Sequence, residues 1–146
     1  LIHTKLYQSK DLSSIDFGTY LKDLINSITK SYPLSNNIKT TINIISAKFD
    51  IDLCINLGLI INELLTNAYK HAFKNRKSGQ INIELTRNSN NSFQLIIEDN
   101  GIGVPDYIEL TNPQTLGLEI VVALTKQING TIATNAKNGL KYTLVF

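Results

Sequence analysis

With one cysteine in 146 residues, the chain cannot close an intrachain disulfide, so Cys54 fits a reducing compartment and, set among apolar neighbours, a core position. A charge bias is missing too: Lys plus Arg number 14 against 12 for Asp plus Glu. The resulting +2 is too weak to argue for a nucleic acid or a membrane surface. No basic cluster with interleaved aromatics is present, which removes the usual nucleic-acid footprint. No apolar run approaches the roughly 20 residues needed to cross a bilayer, and no signal-peptide pattern opens the chain. Repeats and low-complexity tracts are absent as well. What is there, 42% hydrophobic and 18% charged residues, describes an ordinary globular domain with a sizeable core.

In chain order, Ile2 and Leu6 stand at i, i+4, as on the last turns of a helix. Asp11 to Asp16 reads as a polar joint whose Ser and Asp residues can cap the next segment. Phe17 to Tyr32 reads as a helix with the apolar stripe Tyr20, Leu21, Leu24, Ile25 and Ile28, ended by Pro33. The β-branched run Ile38 to Phe49 predicts a strand pair or a bent strand, and Asp52 is a candidate N-cap for the helix after it. Strands are expected at Gln80 to Arg87 and Ser92 to Glu98, joined across the polar turn Asn88 to Asn91. A loop over Val104 to Gln114, a helix over Leu116 to Ile128 and strands at Thr131 to Thr134 and Lys141 to Phe146 complete the chain. This order predicts an α+β fold, a two-layer α/β sandwich with helices on one face of a mixed sheet.

Three stretches carry chemistry. In Leu57 to Phe73, LGLIINELLTNAYKHAF, a spacing of about 100° per residue puts Leu57, Ile61, Leu64, Leu65, Ala68 and Ala72 on a core face. Glu63, Asn67, Lys70 and His71 gather beside it, with Glu63, Asn67 and His71 at i, i+4, i+8. Asn67 can offer a carbonyl oxygen to Mg²⁺, and Lys70 and His71 can meet phosphate charge. The helix alone fits a solvated polar face equally well, with His71 near the C-terminal dipole. In Glu98 to Pro105, EDNGIGVP, Asp99 stands where a strand ends, able to accept from an exocyclic amine. Gly101 and Gly103 there allow close approach, although an ordinary turn reads the same way. In Thr115 to Glu119, TLGLE, Gly117 near a helix start leaves backbone N–H groups accessible to phosphate oxygens.

Taken in order, NELLTNAYKH, DNGIGVP and TLGLEIV resemble the N, G1 and G2 boxes of the ATP-binding domain shared by histidine kinases, DNA gyrase, a heat-shock chaperone ATPase and MutL. LYQSKDLSSIDFGTYLKDLINSI is similar to the segment that precedes this domain in the kinase subfamily with an alternative phosphoacceptor hairpin. The resemblance implies the Bergerat-type ATP-binding fold over residues 15–146 and the end of the hairpin over 1–14. It further implies that Asp99 binds the adenine amino group, that Gly101 and Gly103 shape the pocket, and that Asn67 ligates Mg²⁺. Lys70 and His71 would contact phosphates, Thr115, Leu116 and Gly117 would form the G2 box, and Glu63 would prepare a water or orient the attacking histidine.

That histidine lies upstream in the family, so His3 is not taken as the acceptor. Partners implied are ATP, the phosphoacceptor hairpin of the same protein or a dimer mate, and a response regulator. The fragment is expected to be cytoplasmic and monomeric, though its parent is free to be membrane-anchored. Two departures stand out: the lid between the glycine boxes is short and lacks Phe, and Thr115 replaces the first G2 glycine. The alternatives are a same-fold serine kinase that binds a sigma factor, against which the N-terminal segment speaks, and a non-catalytic nucleotide-responsive module.

Overall fold

The computed structural model describes residues 14–32, 37–73, 76–102 and 115–146. The expectations for His3, Pro33, Gly103 and the lid over 104–114 lie outside them.

The first helix, α1 (Phe17–Lys30), starts where Asp16 accepts from the Gly18 N–H at 3.2 Å and the Thr19 hydroxyl at 3.0 Å. Its buried residues, Phe17, Tyr20, Leu21, Ile25 and Ile28, follow the predicted stripe. The residues just before it are a strand and not only a polar joint. Strand β1 (Ile15–Asp16) pairs antiparallel with β3 (Lys48–Phe49), setting Ile15 opposite Phe49, both buried. The run from 38 to 49 is therefore split between two sheets. Its first part, β2 (Ile38–Ile44), joins the main sheet, while Ala47 turns inward to accept from the Phe17 N–H at 3.1 Å.

The central helix, α2 (Ile51–Asn67), is capped by Asp50, whose carboxylate accepts from the Leu53 N–H at 2.8 Å. Asp52, the expected cap, lies inside the first turn and favours the positive end of the helix dipole instead. The helix then passes into a π turn, Ala68–Ala72. Together these 22 residues, with an 18-residue window of mean hydropathy 1.3, are long and apolar enough to cross a membrane by composition, contrary to the expectation of no such run. Their apolar side chains are used internally: Cys54, Leu57, Ile60, Ile61, Leu64 and Leu65 are buried.

The remaining elements are β4 (Gly79–Arg87), β5 (Phe93–Asp99), α3 (Leu116–Gln127), β6 (Thr131–Asn135) and β7 (Leu140–Val145). The main sheet has the order β2-β4-β5-β7-β6, parallel at β2–β4 and antiparallel elsewhere. Helix α2 packs between α1 and α3 over this sheet, giving the two-layer α+β sandwich. Ile81, Ile83 and Leu85 of β4, Leu95 and Ile97 of β5, and Tyr142 and Leu144 of β7 supply the sheet's side of the core. Alternation explains the set, since every second strand residue faces the helices.

The two ends of the sandwich differ. At one, Phe49 packs on Phe17, Phe93 and Phe146 with ring centroids 5.3, 5.0 and 5.9 Å apart. Strand β5 runs from Phe93 at that end to Asp99 at the other.

Gly58 on α2 is where α1 comes close: a Cβ there would overlap the Tyr20 hydroxyl and crowd its ring. Because Tyr20 is buried, Gly58→Ala is expected to cost about 1–3 kcal/mol by overpacking, read as a lower Tm in thermal melts. An unchanged Tm would show that the two helices are packed less tightly than this.

Candidate functional site

The row of inward-facing residues on β5, Leu95 and Ile97, continues into Asp99, so strand periodicity itself carries a carboxylate into the core. Asp99 is 7% exposed. Its Oδ1 accepts from the Gly101 N–H at 2.9 Å and the Leu140 N–H at 3.3 Å. Among the described residues no hydrogen bond reaches Oδ2, which is left to accept from a ligand. Burial pushes the carboxyl pKa upward; the two N–H donors oppose this, the Glu98 charge adds to it and the Arg76 charge opposes it.

The loop after this strand is tied down from both sides. Asn100 accepts at its carbonyl from Arg76 Nη1 at 2.7 Å and at its side-chain Oδ1 from the Gln80 N–H at 2.8 Å. Gly101 is buried with its Cα against the Ala72 carbonyl, where any Cβ would collide with backbone. The next residue, Ile102, donates its N–H to that carbonyl at 2.8 Å. The glycine loop is thereby bolted to the end of the motif helix, which satisfies a carbonyl the helix leaves open.

Along α2, Glu63 and Asn67 stand one turn apart, both half-buried. The regular helical face expected to carry Glu63, Asn67, Lys70 and His71 together is interrupted there. In a π turn the hydrogen bonds span five residues, so the 100° spacing no longer places the residues beyond Asn67. Tyr69 turns inward, stacks on Tyr32 with centroids 5.5 Å apart and meets the Thr40 hydroxyl at 3.2 Å; Lys70 and His71 are left exposed beside the site.

On the other side of Glu63 lies the start of α3. A Cβ on Gly117 would come within 2.7 Å of Glu63 Oε2, so the first and third motifs are in direct contact. Thr115, where a glycine was expected, is the N-cap: its hydroxyl accepts from the Leu118 N–H at 3.2 Å. Leu116 is 72% exposed at the same helix start. The structure thus brings Gly117, next to Thr115 and Leu116 at the α3 start, against Glu63, one turn from Asn67, and brings Gly101, with Asp99 before it, against the end of the motif helix. Gly103 lies outside the described residues.

Sequence patterning singles out neither Arg76, which lies between the motif helix and the next strand, nor Tyr142, which lies within the last one. Only the alternation of β7, which puts Tyr142 on the core face with Leu144, could have pointed to the second.

Residues 54–146 match the family described as histidine kinase-, DNA gyrase B- and HSP90-like ATPase. The chain belongs to this ATPase family. Residues 1–32 match a further family described as histidine kinase, so the domain is of the histidine kinase type. It is similar to Blue-light-activated histidine kinase 2 of Erythrobacter litoralis, 27% identical over 148 residues. That alignment covers 96% of this chain but only 42% of the relative's length. Among solved structures, the histidine kinase domain of the Erythrobacter litoralis EL346 blue-light-activated kinase superposes with a TM-score of 0.85 at 22% identity, covering 99% of this chain and 67% of that one. The Acinetobacter baumannii histidine kinase AdeS gives 0.69 at 20%, covering 99% and 71%. At these identities the superpositions establish the fold.

Asp99→Asn separates binding from stability. A carboxyl whose pKa is raised by folding is held ionised at a cost above that pKa, and the cost vanishes as pH falls below its unfolded value of about 3.9. At pH 7 the variant should melt no lower than wild type, and its advantage should shrink on acidification while binding of a nonhydrolysable ATP analogue is lost. A variant that melts well below wild type at pH 7 would contradict this.

Proposed function

We propose that this chain is the catalytic, ATP-binding part of a sensor histidine kinase, which passes the γ-phosphoryl group of ATP to a histidine outside these residues. The observation that carries it is the buried Asp99 carboxylate, with Oδ1 engaged by backbone and Oδ2 left over, at the head of a loop bolted to the helix bearing Glu63 and Asn67. One oxygen fixed and one open is what an exocyclic amine needs.

Asp99 accepts from the adenine amino group, and Gly101 keeps the pocket floor bare of side chain. Asn67 supplies a carboxamide oxygen for Mg²⁺, an ion that uses one or two protein oxygens together with substrate phosphates. The donor suits that ion: the half-buried Asn67 offers a neutral, hard oxygen and leaves the other positions to water and phosphate. Bound Mg²⁺ would neutralise charge on the transferred group. Lys70 and His71, exposed beside Asn67, and the N–H groups at the start of α3 meet phosphate oxygens. Glu63 orients the incoming imidazole and draws off its proton as the new P–N bond forms and the bond to ADP breaks. Positioning and charge neutralisation supply most of the rate in such a transfer. The acceptor would lie in the hairpin of the same protein or of a dimer mate, with a response regulator as the next recipient, all in the cytoplasm.

Calorimetric titration of a nonhydrolysable ATP analogue with and without Mg²⁺, followed by phosphotransfer to a supplied acceptor hairpin, tests this. Wild type should bind with a Mg²⁺ response that Asn67→Ala abolishes, together with transfer. Full activity in Asn67→Ala would remove Asn67 from the metal site. Binding without any transfer would instead favour a nucleotide-responsive interaction module.

A further inference from the structure

Among the described residues one buried side-chain oxygen has no hydrogen-bond partner, the hydroxyl of Tyr142. Leaving such a group unpaired costs about 1–3 kcal/mol, so its persistence calls for a partner that the protein alone does not supply. Tyr142 is 4% exposed and on the core face of β7. In the sheet register it stands opposite Ile97, and Asp99 stands opposite Leu140, so Tyr142 and Asp99 are diagonal neighbours on one face. Diagonal pairs lie about 7–8 Å apart between backbones, a span that an aromatic side chain covers. The phenol accordingly lies within the field of the Asp99 carboxylate; burial first, and that charge second, push its pKa up to about 12. It therefore stays protonated near neutrality and can act as a donor.

Two polar groups thus converge from adjacent strands: an acceptor, Asp99 Oδ2, and a neutral hydroxyl without a partner. Adenine presents the complementary pair along its edge, an amino group that donates and, next to it, a ring nitrogen that accepts. We propose that Tyr142 is a second base-reading residue, whose hydroxyl donates, directly or over one ordered water, to the adenine ring nitrogen beside the amine that Asp99 accepts. The inference rests on the adenine-site reading given above and adds a determinant of base choice. Guanine would set a carbonyl against the Asp99 carboxylate, acceptor against acceptor, while its ring N–H would meet the hydroxyl only if the hydroxyl turned from donor to acceptor. A site whose buried carboxylate would be left facing another acceptor rejects the wrong base strongly. A single bridging water carries such a contact nearly as well as a direct bond.

The test pairs Tyr142→Phe, which removes only the oxygen, with 1-deaza-ATP, in which the ring nitrogen in question is a C–H. Binding of ATP and of 1-deaza-ATP is measured by calorimetry for wild type and variant, and both proteins are melted without ligand. Wild type should prefer ATP by about tenfold, the value of one buried hydrogen bond, and Tyr142→Phe should bind the two nucleotides alike. The free variant should melt at the wild-type temperature or above, because the oxygen lost had no partner. Discrimination retained in Tyr142→Phe would overturn the proposal while leaving the nucleotide site intact. A marked fall in the Tm of the free variant would also overturn it, by showing that the hydroxyl is already engaged within the fold. Failure of wild type to bind ATP at all would overturn the adenine-site reading itself and this inference with it.

Discussion

Everything at the polar end of this domain depends on one constraint, a carboxylate that must be buried and yet remain able to accept. The same alternation that points Leu95 and Ile97 at the helices points Asp99 there as well, because nothing breaks the strand before it. An ion placed among apolar neighbours is costly unless it is hydrogen-bonded. Two backbone N–H groups on one oxygen meet that need only halfway, and the half left unmet is the chemistry of the site. Arg76 and Gln80, by holding Asn100, keep the chain from relaxing in a way that would let the carboxylate swing into water.

The opposite end is built on other terms. There the phenylalanines around Phe49 close the sandwich with ring on ring, and Arg87 lies over the Phe93 ring at 5.1 Å from its centroid. Such packing tolerates little movement. The domain is thus a strand-length lever with a rigid apolar base and a polar tip, and the tip is where the three motifs converge. The contact between Glu63 and Gly117 has a further electrostatic sense, since a carboxylate at the start of α3 sits in the favourable field of that helix. Phosphate oxygens arriving at the same place would have to share it with Glu63 or displace it.

Much of this was legible in the sequence because it rests on local periodicity. The apolar positions from Leu57 to Leu65, the stripe of α1 and the strands on either side of Asn88 to Asn91 obey 3.6- and 2-residue repeats, which need no knowledge of partners. Asp99 was legible as a candidate because an acidic residue stands between a strand and a glycine pair, and only the order of the three motifs sets that apart from an ordinary turn. The features that stayed hidden depend on contacts distant in the chain. Asp50 and Asp52 are equivalent as caps until the strand before them fixes which one has extended backbone. The π turn goes with Tyr69 meeting Tyr32 and Thr40, both distant in the chain, and Ile15 becomes a strand residue by pairing with Phe49. Tyr142 went unnoticed because its oxygen is unusual only in lacking a partner, which no local pattern can show.

The sheet order has a consequence for how the protein is made. Strand β7 comes after every other strand in sequence, yet it lies between β5 and β6 in space. The N–H of Leu140 that holds Asp99 comes from a residue 41 positions further along, and Tyr142 lies further still. A chain still emerging from the ribosome can form the β4–β5 hairpin and present an Asp99 with only its neighbour Gly101 to hold it. The surroundings of Asp99 are complete only when the segment through Val145 is free to pair between β5 and β6, so synthesis of a part yields no partial version of them.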